Sequence, residues 1–165
     1  MKQKIFEIKQ ALSMRLYNCA LSLALTLPSV CARVEYDNTK KNDKSKYIEW
    51  FDKYAIKKFT FQAQQLPGCK TVVINTIDGL TCYKLRCAVL HAGNFDTDKC
   101  KYKNITIHGH DKNSEIYEHE CLDEIDSHID VNKFCDLLCS AVEEYYDSVE
   151  DKSKFNVENV VVLDW

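Results

Sequence analysis

The sequence predicts one mainly α-helical domain, and three observations carry that expectation. The chain holds only 4 Gly and 2 Pro in 165 residues, too few turn formers for a sandwich or barrel of many short strands. Apolar residues recur at helical spacing from Ile5 through Ile8, Leu12, Leu16, Cys19, Leu23 and Leu27, and again from Val131 through Phe134, Cys135, Leu138, Val142, Tyr145 and Val149. Hydrophobic residues make up 45% and charged residues 28%, the balance of a globular chain long enough to bury one core. The expected domain is 1–165, with a core over about 3–149 and a C-terminal tail over 150–165.

The elements follow in order. The first apolar repeat reads as a helix over about 3–27, bending at Pro28 or stopping there and restarting through Val34. Residues 36–46, YDNTKKNDKSK, form a polar, lysine-rich loop. In KYIEWFDKYAIKKF (46–59), Tyr47, Ile48, Trp50, Phe51, Tyr54, Ala55 and Phe59 define a second helix. LPGC (66–69) is a turn, and the β-branched run TVVINTI (71–77) suits either a strand or a helix. Asp78 is the expected N-cap of a helix over about 79–92, with Gly93 as its stop. A polar loop, 95–104, precedes ITIHGH (105–110) and IYEHECL (116–122), which flank DKNSE as a small β-hairpin insertion. Asp130 caps the last long helix, to about 149, and NVENVVVLDW (156–165) reads as a closing strand.

Charge is unevenly spread. Residues 1–110 carry 18 Lys and Arg against 9 Asp and Glu, a balance of +9, while residues 111–165 carry 4 against 16, a balance of −12. The basic part can attract phosphates even though the whole chain has a net charge of −3; two halves that attract one another explain the pattern equally well. Nine cysteines without a Cys-x-x-Cys pair read as reduced, small hydrophobes in a cytoplasmic protein. LYNCALSLALTLPSVCA (16–32) resembles a signal-peptide core, but Glu7 and an apolar repeat that starts at Ile5 favour a core helix. The run is too short for a typical membrane span, so no membrane partner is expected.

The stretch LRCAVLHAGN (85–94) sets Arg86 and His91 on an otherwise apolar helix. On an ideal α-helix, residues five apart diverge by about 140° and rise by about 7.5 Å. The two side chains then meet only through the reach of Arg86, a distorted helix end, or a second copy of the chain. A structural reading also stands: His91 beside the last carbonyls of its helix, Arg86 paired with the acidic C-terminal part.

Arg, four residues, then His on a helix matches the R-x(4–6)-H signature of HEPN domains. LALTLPSVCARVEY, YIEWFDKY, CYKLRCAVLHAGN and HIDVNKFCDLLCSAVEEYY resemble, in the same order, small stand-alone bacterial proteins of that family, over about 20–149. The resemblance implies an antiparallel helical bundle and a homodimer with Arg86 and His91 at the dimer cleft. It also implies a metal-independent ribonuclease of the kind found in toxin–antitoxin and phage-defence systems, with RNA as substrate and an antitoxin or defence partner. The chain departs from the family after Arg86, where active members commonly carry a polar residue, often Asn, and this chain has Cys87. That departure favours the alternative, a catalytically inactive nucleotide- or protein-binding module.

The chemistry stands independently. A 2′-OH is an internal nucleophile, a near-neutral His moves its proton, and a guanidinium stabilises the charged phosphorane. His91 is the expected acid/base and Arg86 the phosphate ligand. Lys84, seven residues before His91 and so on about the same helical face, and Asn94 are expected substrate contacts. Lys84, Arg86, Lys99, Lys101 and Lys103 outnumber Asp96 and Asp98 over 84–103, a local basic patch. No cofactor is expected. His108, His110, His119 and Cys121 could serve zinc if the expected hairpin formed, but their spacing matches no standard zinc motif, and no metal site is assigned.

Overall fold

The long apolar repeat at the start of the chain is cut in two by a single residue. Arg15 has a φ of 59°, in the left-handed region. The Arg15 N–H donates to the Leu12 carbonyl at 3.0 Å and the Leu16 N–H to the Ala11 carbonyl at 2.8 Å. That pair of bonds is a Schellman closure, with Arg15 where glycine is usual. Two helices result, α1 (Lys2–Ser13) and α2 (Tyr17–Glu35), in place of the one expected over 3–27. The apolar spacing runs unbroken through the turn, which is why periodicity hides it. Pro28 lies buried inside α2 and does not end it.

The computed structural model describes residues 1–63, 72–75, 77–92, 104–109, 117–121 and 124–156. The remaining elements are α3 (Asp43–Trp50), continued by a π-helical turn (Phe51–Ala55) and a 3-10 turn (Ile56–Phe59); β1 (Thr60–Ala63) and β2 (Val72–Asn75); and α4 (Gly79–Cys87), continued by a second π turn (Ala88–Ala92). Then come β3 (Asn104–His108), β4 (Tyr117–Cys121), β5 (Glu124–Asp130), α5 (Val131–Ser148) and a last 3-10 turn (Lys152–Phe155). The fold is mainly helical, as expected. The turn expected at 66–69, the stop at Gly93, the loop over 95–103 and the strand beyond 156 lie outside the described residues.

α2 is the hub, packing against α1, α3, α4 and α5. Its buried Ala20, Leu21, Ala24, Leu25, Leu27 and Cys31 span an arc of about 160° on an ideal helix, a broad apolar face that several neighbours share. α5 has the clearest amphipathic face, with Val131, Phe134, Cys135, Leu138, Val142 and Tyr145 all buried. The Asp130 carboxylate accepts the Lys133 N–H at 2.8 Å and caps it. At its other end the Lys152 ammonium donates to the carbonyls of Tyr146, Asp147 and Val149, a cation where the helix dipole favours one.

Glu35 ties three elements together. Its carboxylate accepts hydrogen bonds from Lys53 Nζ at 2.7 Å, Tyr54 Oη at 2.7 Å and Tyr145 Oη at 3.1 Å. The end of α2, the first π turn and α5 are thereby joined beside the Trp50–Tyr54–Tyr145 ring cluster.

The sheets differ from the expected hairpin. β1 and β2 pair antiparallel, Thr60 opposite Asn75, which makes 72–75 of the ambiguous run a strand. In the second sheet the order is β3-β5-β4. β5 stands between the two strands that were to form the hairpin, parallel to β3 and antiparallel to β4. Only two residues separate β4 from β5, a connection short enough for neighbouring antiparallel strands, and β3 takes the other side of β5. Gly109, just past β3, lies against the Tyr17 ring, 2.3 Å from where a Cβ would sit. No described helix is long and apolar enough to cross a membrane.

A pH dependence follows from Glu35. Partial burial would raise its pKa, but the bonds from Lys53, Tyr54 and Tyr145 outweigh it and hold the group below its ordinary 4.5. A carboxylate depressed on folding stabilises the fold above its unfolded pKa and loses that contribution as pH falls through the folded value. Glu35→Gln is expected to lower the urea midpoint at neutral pH and to flatten its decline below about pH 4.5, relative to the original protein.

Candidate anion-binding site

α4 is held at three points. The Asp78 carboxylate accepts the Thr81 N–H at 2.7 Å, the expected N-cap. The Gly79 N–H donates to Asp52 Oδ1 at 2.7 Å, and a Cβ on Gly79 would sit 2.5 Å from the Ile48 carbonyl oxygen, so only glycine lets α4 approach α3 this closely. Burial raises the Asp52 carboxyl above its usual range, against the Gly79 hydrogen bond and with the neighbouring Asp78 charge adding to the rise. One turn on, the Tyr47 hydroxyl of α3 donates to the Leu25 carbonyl of α2 at 3.1 Å and lies 3.2 Å from Cys82 Sγ of α4. Pro28, inside α2, has no N–H for the Ala24 carbonyl four residues back, next to the carbonyl that Tyr47 reaches.

This junction sets Arg86. Tyr83 packs edge-on to Tyr47, with ring centroids 5.4 Å apart, and carries the Arg86 guanidinium 5.9 Å and the Lys44 ammonium 5.8 Å from its own centroid. Burial first, then a hydrogen bond with Cys87, raises the Tyr83 pKa. Cys87, the residue that departs from the HEPN pattern, lies one helical turn beyond Tyr83. Two buried side-chain nitrogens among the described residues lack a hydrogen-bond partner: Trp50 Nε1 and Arg86 Nε.

Arg86 lines a pocket of about 300 Å³ with Ser29, Ala32 and Arg33 of α2, Asp43 and Lys46 of α3, and Tyr83. Three cations face one carboxylate. None of these four charged groups is in an ion pair with a described residue, so the acidic partner expected for Arg86 is not found there. A larger cavity, about 970 Å³, lies between the start of α2, the end of α4 and β3, and is mostly apolar, with Leu21, Leu85, Val89, Ile105 and Ile107 in its wall.

The other expected site residues stand apart from the Arg86 pocket. His91 is exposed on the second π turn and does not line it. The π turn, with its i→i+5 bonding, brings residues five apart closer in direction than an α-helix does, so the 140° divergence expected of a regular helix is reduced. The same change of register separates Lys84 from His91. Lys84 is 8% exposed and already engaged with a partner, whereas His91 is exposed. Asn94, Lys99, Lys101 and Lys103 lie outside the described residues.

The zinc alternative loses its premise. His108 is level with Asp130 of β5 and His119 with Asp126, a strand apart and four residues along it; His110 is not described. No group of three or more metal-ligating side chains occurs among the described residues. Of the cysteines whose side chains are described, Cys31, Cys82, Cys135 and Cys139 are buried, Cys87 is half-buried, Cys19 is exposed, and all six are free. Burial pushes the Cys82 thiol up to about 12, leaving it inert as a nucleophile.

Arg33 and Lys46 were not legible as site residues. Each sits in a different helix, where an Arg in the last turn and a Lys on a helix face have ordinary explanations. One signal was available: the chain has only three arginines, and two of them line this pocket. Comparison of the chain with protein-family models, with curated proteins and with solved structures gives no match.

The Tyr47 junction carries a stability prediction. Tyr47→Phe leaves the Leu25 carbonyl without its side-chain donor and is expected to cost about 1–3 kcal/mol, read as a fall in the guanidinium midpoint. Gly79→Ala is expected to destabilise as well, because the backbone carbonyl it meets cannot swing aside.

Proposed function

We propose that the chain is an HEPN-like, metal-independent endoribonuclease, with Arg86 as the phosphate and transition-state ligand and His91 as the general acid/base. The observation that supports this reading is Arg86 itself: a guanidinium with a buried, unpartnered Nε, in a pocket shared with two further cations. Such a group is ready for an oxyanion without first breaking an ion pair. In the reaction, the ribose 2′-oxygen loses its proton to a base and attacks the phosphorus. The bond to the 5′-oxygen breaks as that oxygen takes up a proton, leaving a 2′,3′-cyclic phosphate and a 5′-hydroxyl. Because His91 does not line the Arg86 pocket of its own chain, the reading includes a homodimer in which the second copy brings its imidazole to the scissile phosphate. Toxin or phage-defence activity, with an antitoxin or defence partner, is the biological setting such an enzyme suits.

A second reading is favoured by one observation. The exposed His91 outside the pocket, with Cys87 directly after Arg86, suits a module that binds a nucleotide or a protein and does not cut.

The two readings differ in a single assay. Single-stranded RNA in EDTA is expected to be cut to cyclic-phosphate ends. His91→Ala and Arg86→Ala should each slow cleavage by about 10²–10⁴-fold while keeping the helical circular dichroism signal. A mixture of the two variants, co-refolded to heterodimers, should regain part of the activity. Identical trace cleavage by the original protein and both variants favours the binding module.

A further inference from the structure

The Arg86 pocket holds more charge than a scissile diester needs. Arg33 comes from the last turn of α2, Lys46 from α3 and Arg86 from α4, and Asp43 is the one carboxylate among the described lining residues. Counting these four groups leaves an excess of +2. The N-terminus of α3 is at Asp43 and adds the positive end of a helix dipole to the same wall. Like charges gathered in a small cavity repel one another, and a bound anion relieves that cost. An RNA diester carries one negative charge. A phosphate monoester carries about −1.5 to −2 at neutral pH with three strong acceptor oxygens, which matches the excess. The volume of about 300 Å³ is at the small end of ligand pockets, suited to one nucleotide unit or chain end and too small for a folded RNA element. Tyr83 already carries Arg86 and Lys44 over its ring, so its role is to position Arg86 rather than to stack a base.

We infer that this pocket is a phosphomonoester site, in which Arg33, Lys46 and Arg86 hold the terminal phosphate of a nucleoside monophosphate or of an RNA strand. This rests on the same reading of Arg86 as a phosphate ligand. It adds Arg33 and Lys46 as binding residues, and it makes the group recognised there a chain end or free nucleotide, not only the bond to be cut. Asp43 is the element that weakens binding, since its carboxylate faces the same space.

The test uses short single-stranded RNA with a 2′-O-methyl backbone, which removes the attacking hydroxyl and so separates binding from cleavage. Strands bearing a 5′-phosphate, a 3′-phosphate or neither are compared by fluorescence anisotropy on the full chain, with inorganic phosphate and adenosine 5′-monophosphate as competitors. At least one phosphorylated strand is expected to bind tenfold or more tightly than the unphosphorylated one. Arg33→Ala and Arg86→Ala should each abolish the preference, Arg33→Lys should retain part of it, and Asp43→Asn should increase it. Equal affinity for all three strands, with competition by adenosine 5′-monophosphate that Arg33→Ala removes, keeps the site and assigns it to a free nucleotide. Equal affinity with no competition by either small probe overturns the inference, as does a preference untouched by Arg33→Ala and Arg86→Ala in folded protein. An end preference without cleavage of ordinary RNA in EDTA leaves this site standing and removes the nuclease; cleavage that depends on Arg86 without an end preference does the reverse.

Discussion

The Tyr47 hydroxyl is the contact on which the site depends. It belongs to α3, donates to a carbonyl of α2 and meets a thiol of α4, in a place from which water is excluded. An unpaired polar group there would cost a large part of a domain's net stability, so the three helices come together in one arrangement or lose that contact. The Arg86 pocket takes its walls from the same three helices. Ser29 and Arg33 of α2, Asp43 and Lys46 of α3, and Tyr83 and Arg86 of α4 converge because the junction beneath them is closed. The functional proposal thus sits beside a buried junction of three helices, with the ring of Tyr83 linking buried Tyr47 to the Arg86 guanidinium.

Local features were legible in the sequence and non-local ones were not. Asp78 and Asp130 read correctly as caps because a carboxylate's bond to an N–H three residues on is a property of four neighbouring residues. The face of α5 was equally plain. The break at Arg15 was not, since a Schellman turn that usually takes glycine is here closed by arginine, with apolar spacing intact on both sides. β5 escaped notice because Glu124, Asp126 and Asp130 mask the alternation of Ile125 and Ile129, and a charged run reads as a solvated face. Strand order is set by pairing across tens of residues, which spacing within a strand does not encode. At the candidate site, Arg86 and His91 were visible as a motif, while Arg33 and Lys46 join Arg86 in one pocket only through helix packing.

The chemistry divides in the same way. Arg86 combines a locally recognisable position with a tertiary environment that leaves its Nε unsatisfied. An arginine in this state lines one pocket with a second arginine and a lysine, an arrangement suited to an anion. Whether it also serves cleavage depends on where an imidazole stands, and a single chain exposes His91 outside the pocket. Phosphate capture is what the proposed nuclease and a nucleotide-binding module would share.

The most direct measurement is the Nε–H signal of Arg86 in a proton–nitrogen correlation spectrum. With three arginines in the chain, the resonance is assigned by its loss in Arg86→Lys. On titration with inorganic phosphate at constant ionic strength, the Arg86 and Arg33 signals should shift together and saturate, while that of Arg15, at the α1–α2 turn, stays in place. An Arg86 signal that does not move, or that moves only in step with Arg15 as a general salt effect, would contradict phosphate capture by this pocket.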